Sequence, residues 1–125
     1  MARRVTYWAT TALLAGLALL AAFTYLTAAP AAVTGFAHVG YPPHLRVMLG
    51  LAKLLGAIAL VVPGFPKLKE WAYAGFTFAW IAASVAHYTA GDGATAAFPL
   101  VLLILLGISY ATRPESRRWL APARA

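Results

Sequence analysis

Cysteine is absent from this 125-residue chain, and acid is almost absent: Glu70, Asp92 and Glu115 are the only carboxylate side chains, against ten lysines and arginines. Without a thiol the chain forms no disulfide, no thiolate zinc site, no iron–sulfur ligation and no CxxC redox pair of its own, so any redox role must borrow its electron carrier. Charge of either sign is also scarce. Charged residues make up 10% of the chain and hydrophobic ones 62%, with a mean hydropathy of +0.77, too apolar for a water-soluble domain of this size. This composition is that of a membrane protein. A span needs ~20 apolar residues, so the length holds one compact domain of about four spans and no second domain.

The formal charge of +7 raises nucleic acid as a partner. The basic residues, however, are divided among short segments between apolar runs and do not gather on one surface, so nucleic acid is excluded and topology accounts for them.

The first run, about 5–29, follows "ARR". Its basic start and the "LTAAP" that follows resemble a secretory signal and its cleavage site. Its length, the position of Pro30 and the three runs that follow favour a retained span. The second run, about 45–62, follows "YPPH" and stops at "PGFP", where two prolines and a glycine cannot continue a helix. The third, about 70–88, begins within a few residues, so spans two and three form an antiparallel hairpin. The fourth, about 96–112, tolerates Pro99 in its first turn and ends before "RPESRR". The expected fold is an all-α integral membrane four-helix bundle forming a single domain over 1–125. "PAAVTGFAHVGYPPH", between spans one and two, is expected to be a partly structured cap at the outer interface.

Arg3, Arg4, Lys67, Lys69, Arg113, Arg117, Arg118 and Arg124 fall on one side of these spans, and only Arg46 on the other. The positive-inside rule then places both termini in the cytoplasm of a multi-pass protein of the inner (plasma) membrane. Trp8, Trp71 and Tyr110 near the span ends read as interfacial anchors.

Lys53 breaks the pattern by standing in the middle of "GLAKLLGAIAL". The ten Leu, Ile and Val residues of its span contribute roughly −3 to −6 kcal/mol to insertion, and a central lysine costs about 2.5 to 3.5 kcal/mol. The helix inserts with little margin unless the lysine faces inward. Gly50, Gly56 and Ala57 lie three before, three after and four after it, so Lys53 shares its face with the smallest residues of the span, the face that lets helices approach closely. Helical side chains lean toward their own N-terminus, which directs Lys53 to the outer half of the membrane and lets Ser84 and His87 of span three lean back toward it. Tyr73, Phe76, Trp80, Ser84 and His87 recur at helical spacing, and Asp92 follows in "GDG".

The candidate ligand-binding cluster is therefore Lys53, Ser84, His87 and Asp92, with Tyr73, Trp80 and Tyr41 as lining. Each has a plainer reading: a lysine that snorkels or bonds backbone carbonyls, an interfacial histidine with a satisfied hydrogen bond, an aspartate that forms a turn before Gly93. Intramembrane ionisable groups are nevertheless rare enough to mark a site. His38, His44, His87 and Asp92 are sufficient in number for zinc, but no two of the histidines have close ligand spacing, and no metal site is expected.

"GFAHVGYPPHLRVMLGLAKLLGAIALVVPGFPKLKEWAYAGF", with "SVAHYTAGDG" and the closing "SYATRP", resembles the DoxX-like family of small bacterial four-span membrane proteins over nearly the whole chain. The most specific parts are "GYP" at Gly40–Pro42, "AKLLG" around Lys53, "LKEWAYAGF" at Leu68–Phe76 and the segment from His87 to "GDG". The resemblance implies a membrane bundle. It also points to a wider DoxX group that includes proteins resembling subunits of thiosulfate:quinone oxidoreductases, and to distant animal relatives that act as receptor-assembly chaperones. Two departures are visible: DoxX proteins proper carry an acidic residue where Lys53 stands, and some relatives carry one near Ala79.

The sequence thus supports an accessory or small-lipophile-binding bundle, not an enzyme by itself, in contact with the lipid bilayer. Alternatives are the membrane subunit of a quinone-linked oxidoreductase, with quinone as a non-covalent cofactor and a redox protein, membrane protein or second copy of the chain as partner, and a small transporter. Four short spans without broken helices or an inverted repeat give the transporter little support. Glu70 is expected in the first turn of its helix, offsetting the positive dipole end, while Lys67 and Lys69 hold the loop at the cytoplasmic face.

Overall fold

Prolines set where the helices begin. The computed structural model of the protein describes residues 1–118, and over them the chain is helical: α1 (Ala2–Leu26), α2 (Pro30–His38), α3 (Pro43–Val61), α4 (Pro66–Thr89) and α5 (Phe98–Ala111), with 3-10 turns at Gly93–Ala97 and Glu115–Arg117. Arg124 lies outside the described residues. Proline stands at the first or second position of α2, α3, α4 and α5, where its missing N–H would have had no intrahelical partner and its fixed φ suits the helix.

Three helical stretches are long and apolar enough to cross a membrane: Ala2–Leu26, Pro43–Val61 and Gly93–Ala111. The third expected span corresponds to α4, which has 24 residues and runs beside them; Lys67, Lys69 and Glu70 near its start reduce its apolar character. α4 also begins at Pro66, a turn earlier than about 70, because Gly64 at φ 78° and Phe65 at φ 52° reverse the chain abruptly after α3. Glu70 is consequently the fifth residue of its helix and has left the first turn. At the other end α1 stops at Leu26, where Ala28 at φ 56° redirects the chain, and the expected cap proves to be a helix of nine residues, α2.

α1 packs against α3 and α5, and α4 packs against α3 and α5, while the backbones of the diagonal pairs, α1 with α4 and α3 with α5, stay more than 8 Å apart. Leu14 and Ala18 of α1, Ala57 and Leu60 of α3, Tyr73, Phe76 and Trp80 of α4, and Leu102 and Leu106 of α5 meet in one core. Close approach depends on glycine at two places. A Cβ on Gly56 would lie 2.9 Å from the Phe76 ring, and one on Gly50 would press on Leu26 and Tyr25 of α1. The face that Lys53 shares with small residues is thus divided between two neighbours, with the lysine between the two close approaches. Leu20, Phe23, Leu55, Phe78 and Ile104 point outward and are exposed, forming an apolar exterior suited to lipid.

Candidate functional site

Alanine makes room where the helices diverge. Ala79, Ala82, Ala83 and Ala86 of α4 leave a cavity of about 340 Å³, closed by α2 through Ala32, Gly35 and Phe36, by Tyr25 at the end of α1, and by Leu49 and Lys53 of α3. Its volume falls at the small end of the range for ligand pockets, and its walls are apolar with few polar groups. Tyr25 and Phe36 meet edge-to-face with centroids 4.8 Å apart, Phe36 continues to Tyr41 at 6.0 Å, and all three rings line the space. These contacts hold α2 as a roof.

Lys53 lies between two rings. Its Nζ is 5.5 Å from the Trp80 centroid and 5.9 Å from the Tyr25 centroid, within the reach of cation–π attraction. Trp80 is buried and stacked on Phe76 at 5.0 Å, so the surface beneath the amine is rigid. Among the described residues no carboxylate, hydroxyl or carbonyl accepts a hydrogen bond from this amine. Three donors therefore face an apolar space with only π faces for company.

At the mouth, the Nε2–H of His38 donates to Asp92 Oδ1 at 2.6 Å and the Nδ1–H of His87 donates to Asp92 Oδ2 at 2.7 Å. Gly91 at φ 84° and Gly93 at φ 55° bend the chain so that the carboxylate sits between the two rings, a turn that L side chains rarely allow. The two hydrogen bonds, His87 first and His38 second, hold the Asp92 carboxyl below its ordinary pKa. The bridge ties the last residue of α2 to the turn after α4. His87 also lines the cavity, whereas His44 is exposed and outside the bridge. The three bridged groups spend their facing atoms on each other, and among the described residues no cluster of His, Asp or Glu could hold a metal ion.

The structure distributes the expected cluster as follows. Lys53, His87 and Tyr41 line one cavity, Asp92 is bonded to His87, and Trp80 lies beneath the lysine. Ser84 is turned elsewhere: its hydroxyl donates to Ala96 O at 2.6 Å and ties α4 to the turn before α5. Tyr73 is not at the cavity, because its hydroxyl shares a hydrogen bond with Ser109 at 2.7 Å, and Ser109 shares another with Thr11 at 2.6 Å, a buried chain joining α4, α5 and α1. His38 and Tyr25 were not singled out for these roles by sequence. Neither was Arg46, whose guanidinium donates to Tyr25 O at the end of α1.

The opposite end contains more cations, and they are differently satisfied. Lys69 is fully buried, and its Nζ donates to Ala59 O at 2.9 Å and to Val62 O. Arg117 donates to Leu60 O at 2.9 Å, Val61 O at 3.1 Å and Val62 O at 3.3 Å. Between them they cap the four carbonyls at the end of α3 that have no intrahelical partner. Glu70 accepts from the Tyr110 hydroxyl at 2.9 Å and pairs with Arg113, which lies 3.5 Å from the Tyr110 centroid. Lys69, expected to hold a loop at the surface, is instead a buried cap.

The family model described as the DoxX-like family matches residues 9–109, and the chain belongs to that family. No curated protein and no solved structure matches it. Family membership and the three apolar helices together make it a membrane protein in contact with the lipid bilayer.

Proposed function

We propose that this member of the DoxX-like family is a four-helix bundle of the inner membrane with both termini cytoplasmic, which binds a small lipophilic molecule in the outer half of the bilayer through Lys53, His87 and Tyr41. The observation that carries this reading is the Lys53 amine, set on the wall of an apolar cavity with no acceptor among the described residues. A partly buried cation with no hydrogen-bond acceptor is costly, and a ligand acceptor would relieve that cost. α4 serves as the fourth span, since it has the length and runs within the same ring of helix pairs. The orientation is supported by Arg3, Arg4, Lys67, Lys69, Arg113, Arg117 and Arg118 at one end against Arg46 at the other.

Two experiments test the reading. Because the chain has no cysteine, Thr95→Cys creates a single exposed label site; an impermeant maleimide should modify it in intact cells, and labelling only after lysis would reverse the orientation. The protein purified from membranes should yield a near-stoichiometric small lipophile on solvent extraction, and Lys53→Met should lose it while remaining folded. Extracts containing only phospholipid from both proteins would remove the binding function.

A second reading, the membrane subunit of a quinone-linked oxidoreductase, is favoured by one observation. His87 on the cavity wall is joined through Asp92 to His38, half exposed at the mouth, which provides a proton route beside an amine able to donate to a quinone carbonyl. A quinone absorbance in the purified protein that disappears in Lys53→Met and His87→Ala would select this reading.

A further inference from the structure

The cavity does not end at Lys53. Leu49, Lys53 and Ala79 also line a second space of about 290 Å³, a groove along the outer seam of α3 and α4. Ala52, Gly56 and Ala59 on one side and Ala72 and Gly75 on the other make it shallow-walled, and Leu55, Leu68 and Trp71 border it. Apart from the lysine, none of its lining side chains is charged. One amine thus stands at the junction of a roofed chamber that contains the remaining polar groups and a purely apolar groove open to the membrane side.

Charge decides what the junction accepts. The charged side chains at this end of the described residues are Arg46, Lys53 and Asp92, and Asp92 is already occupied by two histidines. Arg46 donates to Tyr25 O beside the chamber. The chamber is therefore electropositive on balance, and among the described residues no ion pair joins the Lys53 amine to a carboxylate. Depth decides the source. Lys53 is ten residues into α3, about 15 Å along the helix axis, which is half the thickness of the hydrocarbon layer and well below the level of a phospholipid phosphate.

Resting on the lipophile-binding reading, we propose that the ligand is a single-chain amphiphile with an anionic head, a free long-chain carboxylate, its head on the Lys53 amine beneath α2 and its chain in the α3–α4 groove. The head completes an ion pair that the protein leaves half made, and the rings of Trp80 and Tyr25 flank it. The chain enters sideways from the bilayer, so the roof need not open. Lys53 reads the head; Gly75 and Ala52 leave space for the chain.

The test uses the full chain in phosphatidylcholine nanodiscs with tritiated hexadecanoate as probe and hexadecanamide, hexadecanol and octanoate as competitors. Hexadecanoate should bind roughly tenfold or more tighter than its amide, the advantage of a charge-assisted hydrogen bond, and Lys53→Met should erase that advantage while the amide still binds. Gly75 is exposed and a Cβ there meets nothing within 4 Å, so Gly75→Leu should fold and place its side chain at the groove. It should weaken hexadecanoate and spare octanoate. Equal binding of acid and amide, or a preference that survives Lys53→Met, overturns the anionic class and leaves lipophile binding intact. Equal loss of octanoate in Gly75→Leu overturns the groove as the chain site. Displacement of hexadecanoate by phosphatidylglycerol in the discs overturns the free acid as ligand in favour of bilayer lipid. Saturable binding of neither acid, amide nor alcohol overturns the binding function itself.

Discussion

Lys69, at the end of the first turn of α4, is fully withdrawn from water and Lys53, in the middle of α3, is partly so, yet their surroundings are opposite in kind. Lys69 donates to carbonyls that the end of α3 cannot satisfy by itself, and Arg117 takes the rest. Lys53 has ring faces beside it and no acceptor among the described residues. A carbonyl left without a donor in an apolar setting costs as much as a donor left without an acceptor, so at the Lys69 end the desolvation of the cation is offset within the protein. At Lys53 it is not. A buried cation therefore marks a site only when its acceptors have been counted, and intramembrane position alone does not distinguish a cap from a receptor.

Substitutions should separate the two lysines. The largest effect is expected for Lys69→Met, which leaves Ala59 O and the second bond to Val62 O without donors; stability should fall by about 2 kcal/mol, read as a lower thermal midpoint, with ligand binding unchanged. If Lys69→Met melts with wild type, the capping account fails. Lys53→Met should show the reverse, an unchanged or higher midpoint, since removing a partly buried charge that has no hydrogen-bond acceptor is neutral or favourable. A loss comparable to that of Lys69→Met would mean that the fold depends on both cations alike. Glu70→Gln comes next. Glu70 is part-exposed, so weakening its pair with Arg113 should cost about 0.5 to 1 kcal/mol, again without affecting binding.

The smallest effect lies at the mouth. The Asp92 carboxyl is held below its ordinary pKa in the fold, so its bridge contributes stability at all pH values above the ordinary carboxyl range and loses it as the pH falls through the folded value. The protection of α2 amides relative to their intrinsic exchange rate should therefore fall in acid, below the ordinary aspartate range, and Asp92→Asn should show low protection already at neutral pH with no further acid step from this group. An α2 equally protected in Asp92→Asn would show that the roof is held by Tyr25, Phe36 and Tyr41 alone.

Sequence made some of this legible and not the rest, for physical reasons. The ends of α3 and α5 follow from apolar runs and prolines, signals that act locally. The inward direction of Lys53 was readable because Gly50, Gly56 and Ala57 mark a packing face by spacing alone. The periodicity from Tyr73 to His87 was also real, but a single face that continues for four turns meets different neighbours: its lower part turns Tyr73 to Ser109, its upper part turns His87 to the cavity. Lys67 and Lys69 look alike in sequence, and only the position of the α3 terminus decides which is buried. His38 and Asp92 are separated by 54 positions, a distance no local pattern spans. The apolar run puts the start of α4 near 70 and not at Pro66, because the left-handed Phe65 before that proline carries no sequence signature.

The Arg117 cap gives the chain an order of assembly. Its guanidinium reaches carbonyls 55, 56 and 57 positions earlier, with two whole helices between them. While the polypeptide is still being synthesised, α3 must enter the membrane with Leu60 O and Val61 O unmatched, and Lys69 can quiet only their neighbours. The hairpin of α3 and α4 is thus held as an unfinished assembly until Arg117, two helices later, has emerged and reached it, and one arginine then fastens what is already inserted.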